Sequence, residues 1–142
     1  DSWSGYVGVN NHMGSRFTAD KARMAVVMSE LKARGLMWLD SVTIGDTAGL
    51  ATAEAAGVPF IARDVFLDNE ESVNAVIAQL DRAREVAKSR GRAVAIGHPH
   101  PTTIAALKQW LPSLAASGVA LVPASEVLRR AGLQPQHAAA GH

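Results

Sequence analysis

Two histidines, His98 and His100, stand directly after the apolar run at residues 94–96, and a proline follows each of them. Because proline disfavours helical backbone in the residue before it, both histidines are held in an extended conformation. Side chains two residues apart in an extended chain can face the same side. Neutral imidazoles bind zinc and similar divalent ions, so this pair predicts a metal site where a strand ends.

Further polar side chains stand just past other apolar runs that are typical of strands. The carboxyl ends of parallel strands lie at one edge of a sheet, and α/β proteins bind ligands there. We therefore expect these side chains to share a pocket with the two histidines. They are Asn11, His12, Asp40, Ser41, Arg63, Asp64 and Asp68. A divalent ion among them would polarise a carbonyl and lower the pKa of a water molecule, which favours hydrolysis as the reaction class.

Most of these residues also have a purely structural interpretation. The two His-Pro pairs can form a stiffened turn, and a lone histidine in a loop, such as His12, is more often a hydrogen-bonding residue than a ligand. Arg63 and Asp64 can form an ion pair that ties loops together. Asp68 lies just before a predicted helix and is a candidate helix cap, whereas Asp40 and Ser41 can cap the turn that follows them.

The elements that must position these residues alternate along the chain. Apolar segments predict five strands, at residues 6–9, 36–39, 58–62, 94–97 and 119–122. Apolar residues at helical spacing predict helices between them. These begin at Thr18 or Asp20, span residues 47–56, begin at Asn69 or Ser72, begin near Thr102, and cover residues 126–131. This alternation predicts an α/β fold with parallel strands, forming either a complete sheet or part of a barrel.

The length of 142 residues suits one domain, and we assign residues 1–133 to a single α/β domain. Residues 134–142 are alanine-rich and are expected to form a flexible tail. No apolar run approaches the roughly 20 residues that span a bilayer, so no membrane-spanning segment is expected.

Composition narrows the function further. A net charge of +1 without a basic cluster argues against a nucleic-acid partner. The chain has no cysteine, which excludes thiolate zinc ligands and a cysteine nucleophile. Any metal must therefore be held by histidine and oxygen ligands.

Three segments, residues 8–18 (GVNNHMGSRFT), 63–69 (RDVFLDN) and 96–101 (IGHPHP), together resemble the divergent polysaccharide deacetylase family. The family is related to carbohydrate esterases of the nodulation-deacetylase type. The resemblance implies a distorted (β/α) barrel and removal of N- or O-linked acetyl groups from a polysaccharide or related carbohydrate by a divalent metal. It also implies a periplasmic or extracellular location.

The resemblance also implies roles for individual residues. His12 is implied as a metal ligand, and His98 and His100 as the second ligand and the acid that protonates the leaving amine, in either order. Asp64 would act in catalysis by lining the pocket or orienting a histidine. The metal is expected to be zinc, with cobalt, manganese or nickel as alternatives. The family segment that resembles Asp40 and Ser41 usually continues with arginine, whereas Val42 stands here.

One family feature is absent from the sequence. Relatives begin with an apolar strand that ends in paired aspartates, which are expected to bind the metal and act as base, and nothing before Tyr6 resembles it. We therefore expect an incomplete barrel that lacks its N-terminal strands and that pairs with the missing N-terminal part of the same domain. Without its general base, such a site would lose about 10² to 10⁴ in rate.

Two other functions are compatible with these residues. A catalytically inactive envelope or glycan-binding protein would keep the fold and loops but release no acetate. A different amidohydrolase or a phosphoesterase would use the same histidine and aspartate ligands on another substrate.

Overall fold

The computed structural model describes residues 5–132, so the predicted tail at residues 134–142 lies outside the described residues. The strands are β1 (Gly8–Asn10), β2 (Met37–Asp40), β3 (Phe60–Ala62), β4 (Val65–Phe66) and β5 (Ala95–Ile96). The helices are α1 (Ser15–Thr18), α2 (Lys21–Ala33), α3 (Gly49–Ala56), α4 (Val73–Arg90), α5 (Pro101–Leu114) and α6 (Ala124–Arg130). In this part of the chain no helix combines the length and apolarity needed to cross a bilayer.

The described residues divide into two compact units, and the first contains residues 5–62 and 123–132. Its sheet has the order β1-β2-β3, and all pairs are parallel. In the centre of this sheet, Leu39 pairs with Asn10 of β1 and with Ile61 of β3. Polar residues that follow β1 and β2 therefore come together at one edge of this unit.

Helices α2 and α3 pack against this sheet and against each other. Asp20 caps α2, because its carboxylate accepts hydrogen bonds from the backbone N–H groups of Ala22 and Arg23. The buried apolar residues form the first core. They are Met24, Met28, Leu31, Leu36, Trp38, Ala48, Ala53 and Val58.

The second unit, Arg63–Val122, consists of the parallel pair β4 and β5 with α4 and α5. Ser72 caps α4 through a hydrogen bond from the N–H of Ala75 to its hydroxyl (3.2 Å). The helix ends at Gly91, whose φ of 79° is one that glycine adopts without strain. The buried apolar residues of this unit form a separate core. They are Val65, Leu67, Val76, Leu80, Ala83, Ala106, Trp110 and Leu114.

The predicted α/β fold with parallel strands is confirmed, but two strands differ from the prediction. Strand β4 (Val65–Phe66) was not predicted, because two residues are too few to show the alternation of apolar and polar residues that is typical of a strand. The strand predicted at residues 119–122 is wrong. There the N–H of Val119 donates to the Ser117 hydroxyl (3.3 Å), and the segment joins no ladder. Val119 packs against the core of the second unit, but Leu121 is 77% exposed.

Within residues 5–132 the strands form one sheet of three strands and one of two, and no closed barrel. An incomplete barrel stays a prediction.

A side-chain hydrogen bond links the two helices of the second unit. The indole Nε1 of Trp110 on α5 donates to Asp81 Oδ1 on α4 over 2.8 Å. Trp110→Phe keeps an aromatic ring but removes the donor, so the variant should lose about 1 kcal/mol of unfolding free energy in a urea titration. Asp81→Asn keeps an acceptor oxygen and weakens only a partly exposed ion pair with Arg84 (2.9 Å), so it should lose less. Equal losses in both variants would contradict the assignment of the effect to this hydrogen bond.

Candidate functional site

His98 and Asp68 meet at the carboxyl end of the β4–β5 pair. Asp68 lies two residues past the end of β4, and His98 lies two residues past the end of β5. Because the two strands run parallel and in register, the two positions come side by side. Asp68 Oδ1 lies 3.1 Å from Nδ1 of His98. The Asp68 side chain is fully buried, whereas 33% of the His98 side chain is exposed.

Asp68 also holds the backbone around the site. Its Oδ2 accepts hydrogen bonds from the backbone N–H of His98 and from the hydroxyl of Thr103 in the first turn of α5 (3.0 Å). A Cβ on Gly97 would lie 3.1 Å from Cβ of Leu67 and 3.3 Å from Asp68 Oδ2. Glycine at position 97 therefore permits the close approach that brings the carboxylate to His98.

The ionisation state of Asp68 determines which ring nitrogen of His98 carries the proton. Burial acts to raise the pKa of Asp68, but hydrogen bonds from the His98 backbone, the His98 ring and Thr103 outweigh it, and the pKa lies below its ordinary value. An ionised carboxylate only accepts hydrogen bonds, so Nδ1 of His98 must carry the shared proton. In the neutral ring Nε2 then holds the lone pair, and in this form imidazole binds a metal or takes up a proton.

His100 completes a cluster of three side chains with donor atoms for a metal. Its ring centroid lies 5.6 Å from that of His98, and its Nε2 lies 3.8 Å from Glu71 Oε1. Each of the three side chains offers one donor atom, and these atoms, from Asp68, His98 and His100, all lie within 4.8 Å of one another. Imidazole nitrogens and carboxylate oxygens are the donors that zinc and similar divalent ions take. Both oxygens of Asp68 already accept hydrogen bonds, so the imidazoles are the groups open to an ion. The chemistry of this donor set fits a divalent ion.

Phe66 lies beside the cluster and connects it to Arg63. The Phe66 and His98 ring centroids are 5.5 Å apart at an angle of 48°. The guanidinium carbon of Arg63 lies 5.3 Å from the Phe66 centroid, in the range of a cation–π contact. Arg63, predicted to line the pocket, therefore lies against the ring that flanks His98.

Asp64 lies at the amino end of β4, at the opposite end of the strand from Asp68. Its Oδ2 accepts the N–H of Val94 (2.8 Å), and its Oδ1 lies 3.5 Å from the Arg90 guanidinium. Its own N–H donates to the Val94 carbonyl (2.8 Å). Asp64 thus fastens the start of β4 to the residue before β5. Its catalytic role stays a prediction.

In the first unit, Asn11 and Ser41 join the loops that follow β1 and β2. The Ser41 N–H donates to Asn11 Oδ1 (2.8 Å), and the Ser41 hydroxyl donates to the Asn11 carbonyl (2.6 Å). His12 follows Asn11 and is exposed. Its role as a metal ligand stays a prediction.

Asp40 is fully buried at the end of β2. Its Oδ1 accepts the N–H of Val42 (2.8 Å), and its Oδ2 accepts the Thr47 hydroxyl (2.9 Å). These contacts fix the chain between β2 and α3. Asp40 therefore organises the loop, as its capping interpretation predicts.

Two features of the site were missed or misinterpreted from sequence. Thr103 was not predicted, because it lies 35 residues from Asp68 and no local pattern links the two. The interpretation of Asp68 as a helix cap is wrong, since Ser72 caps α4. Gly97 is the sequence signal that could have indicated the contact between Asp68 and the His98 backbone, because an isolated glycine in a predicted strand often marks a place where another part of the chain comes close to the backbone.

The fold and the cluster together define an α/β protein with a histidine and carboxylate site at the ends of parallel strands. Residues 1–128 match the family described as divergent polysaccharide deacetylase. The chain belongs to the divergent polysaccharide deacetylase family.

Two curated proteins are similar in sequence to this chain. The chain is 43% identical over 122 residues to the uncharacterized protein YibQ of Escherichia coli K12, a match that covers 86% of the chain and 38% of YibQ. An uncharacterized protein of Haemophilus influenzae Rd is 42% identical over 108 residues, which cover 76% of the chain and 39% of that protein. The chain thus spans well under half of these relatives.

A solved structure is also similar. The crystal structure of an uncharacterized protein from Agrobacterium tumefaciens C58 has a TM-score of 0.84 at 29% identity. The match covers 86% of this chain and 50% of that protein.

Proposed function

We propose that this chain is the part of a carbohydrate deacetylase in which Asp68, His98 and His100 act on an acetyl group. The observation that carries the proposal is the meeting of a buried, ionised carboxylate with two partly exposed imidazoles at the carboxyl end of β4 and β5. Membership of the divergent polysaccharide deacetylase family supports a carbohydrate as the substrate and metal-dependent hydrolysis as the reaction.

Asp68 is assigned a positioning role. Its two oxygens already accept hydrogen bonds from the His98 backbone, the His98 ring and Thr103, so it acts on the substrate through His98. It fixes the orientation of the imidazole and the nitrogen that carries the proton, as carboxylates behind metal-bound or catalytic histidines do. Its negative charge also favours a cation in the cluster.

One of the two histidines binds the metal and the other donates a proton. A divalent ion held by imidazole, zinc or else cobalt, manganese or nickel, would polarise the acetyl carbonyl and lower the pKa of a water molecule. A carboxylate acting as general base would take the proton of the attacking water, and the imidazole that does not hold the ion, in its protonated form, would donate a proton to the leaving amine or alcohol. Both rings are reachable from solvent, with 33% of the His98 side chain and 42% of the His100 side chain exposed.

The proposal is tested by metal removal. The chain loaded with Zn²⁺ should release acetate from acetylated chito-oligosaccharides or acetylated xylan, as measured by an enzyme-coupled acetate assay. Dialysis against EDTA should lower the rate by at least about 100-fold, because the Lewis acid is lost, and added Zn²⁺ should restore it. Zinc content by elemental analysis is measured on the same samples.

Alanine variants separate the roles of the histidines. His98→Ala, His100→Ala and His12→Ala are compared with Glu85→Gln, a control on the exposed side of α4. A variant that loses zinc identifies a ligand, and one that keeps zinc but loses about 10² to 10⁴ in rate identifies the proton donor. Full zinc content and full activity in both His98→Ala and His100→Ala would overturn the assignment.

The acetate assay, together with a saccharide-binding measurement and a screen of other substrates, decides between the proposed enzyme and the other functions. Saccharide binding without acetate release would identify a glycan-binding protein. Turnover of phosphate esters or of other amides, with acetylated saccharides untouched, would assign the site to a different hydrolase.

A further inference from the structure

Glu71 is a second carboxylate at the histidine cluster. In the described residues, the carboxylates that lie against the two imidazoles are those of Asp68 and Glu71. Both oxygens of Asp68 accept hydrogen bonds in a buried position. The Glu71 side chain is 69% exposed, and its Oε1 lies against the His100 ring. Of the two carboxylates, Glu71 is therefore the one with oxygens open to an ion.

The backbone holds Glu71 beside the cluster. Glu71 lies in the loop that follows β4, directly before Ser72, the N-cap of α4. The Ser72 N–H donates to the Glu70 carbonyl (2.9 Å), and the Ser72 hydroxyl accepts the Ala75 N–H. These hydrogen bonds fix the chain around Glu71, so only its side chain has to move to adjust the position of the carboxylate.

The spacing of Glu71 and His100 distinguishes a shared ion from a hydrogen bond. Glu71 Oε1 lies 3.8 Å from His100 Nε2. A charge-assisted hydrogen bond would bring these atoms to about 2.7 to 2.9 Å. Two ligand atoms on one tetrahedral zinc ion, each about 2.0 to 2.2 Å from it, lie about 3.3 to 3.5 Å apart. The observed distance is closer to that of two ligands of one ion.

Two structural roles of Glu71 are weaker explanations. An ion pair with His100 requires a protonated imidazole, and between side chains that are 69% and 42% exposed it contributes little to stability. A negative charge next to the amino end of α4 is favourable, but Glu70 supplies one as well. The ion pair therefore gives little free energy to hold Glu71 beside the ring, and the charge effect on α4 does not depend on Glu71 alone.

We propose that Glu71 is a ligand of the divalent ion and holds it together with His100. This inference rests on the proposed function, in which an imidazole binds such an ion. Imidazole nitrogen and carboxylate oxygen together form a donor set that zinc and similar divalent ions accept. The ion would thus join the loop that follows β4 to the loop that follows β5.

Zinc affinity tests the proposal without an activity assay. Zn²⁺ is titrated into the 142-residue chain in competition with a chelating dye. Glu71→Gln should raise the zinc dissociation constant at least about 100-fold, because even residues that only orient a ligand account for about 10- to 100-fold. Glu70→Gln is the matched control. It removes the same charge one residue away, where the carboxylate contacts the Ser72 hydroxyl (3.4 Å), and should change the constant less than about fivefold.

Two further measurements distinguish binding of the ion from a general effect of charge. Glu71→Asp keeps the charge but places the carboxylate one methylene closer to the backbone, so its zinc affinity should fall between those of Glu71→Gln and Glu70→Gln. In the parent chain, added Zn²⁺ should shift the NMR resonance of the Glu71 side-chain carboxyl carbon and leave that of Glu70 in place.

Equal zinc affinities of Glu71→Gln and Glu70→Gln, or a parent chain that binds no zinc, would overturn the proposal. So would a Glu71→Gln variant that keeps its zinc but releases no acetate, since Glu71 would then act as a base rather than a ligand. Zinc binding that depends on Glu71 in a chain that releases no acetate would support the ligand assignment and contradict the proposed function.

Discussion

Asp68→Asn is expected to lower acetate release by the zinc-loaded protein at least about 100-fold. Asparagine can keep one oxygen towards the His98 backbone, but it loses the charge that favours the Nδ1 proton of His98. If its amide nitrogen faces the ring, Nδ1 becomes the acceptor and the proton moves to Nε2, and Nε2 can then no longer bind a metal or accept a proton. The loss should therefore appear in zinc affinity, in rate, or in both.

A readout besides activity distinguishes positioning from simple structural damage. If His98 is the ligand, the zinc dissociation constant of Asp68→Asn should rise by about 10- to 100-fold in a competition titration with a chelating dye. If His98 is the proton donor, zinc affinity should persist and the pH–rate profile should lose the limb set by His98. Thr103→Val removes one hydrogen bond from Asp68 and should have a smaller effect in the same direction. An Asp68→Asn variant with unchanged zinc affinity, rate and pH profile would rule out the positioning role.

Gly49→Ala is expected to destabilise the protein by about 3 kcal/mol, even though alanine favours helix over glycine by about 1 kcal/mol. Gly49 is the first residue of α3. A Cβ there would lie 2.2 Å from Asp40 Oδ2 and 3.1 Å from Trp38 Nε1. Asp40 is fully buried and holds Val42 and Thr47, so it cannot move aside without losing hydrogen bonds.

Gly45→Ala is the matched control, because apart from its two chain neighbours no described residue lies within 4 Å of the position that its Cβ would take. Its unfolding free energy should stay within about 0.5 kcal/mol of the parent. Both variants are measured by urea denaturation followed by circular dichroism. If Gly49→Ala proved as stable as Gly45→Ala, the close packing of Asp40 against α3 would be contradicted.

The fold class was accessible from sequence because apolar periodicity and helix ends are local signals. Asp20 and Ser72 cap α2 and α4, and Gly91 ends α4, close to where the sequence predicts. The segment at residues 119–122 shows the limit of such signals. An apolar run can form a strand only where another strand offers hydrogen bonds, and that depends on distant parts of the chain.

The candidate site was predictable only in part. His98 and His100 were found because proline and a strand end restrict their backbone, which is a local effect. The partners of Asp68 are 30 and 35 residues away, so its role depends on the register of β4 and β5. Asp64 was expected beside the histidines but lies at the other end of β4, because the sequence gives no sign of a two-residue strand between Asp64 and Asp68.

Asp64 and Asp68 stand before and after β4, and each accepts the backbone N–H of a residue that flanks β5. A shift of the two strands by one residue would separate both carboxylates from these donors at once. The register of β4 and β5 is thus determined by the side chains of Asp64 and Asp68, which lie outside the two strands. The position of the His98 ring depends on that register. Substitutions at Asp64 should consequently shift the His98 ring from the opposite end of β4.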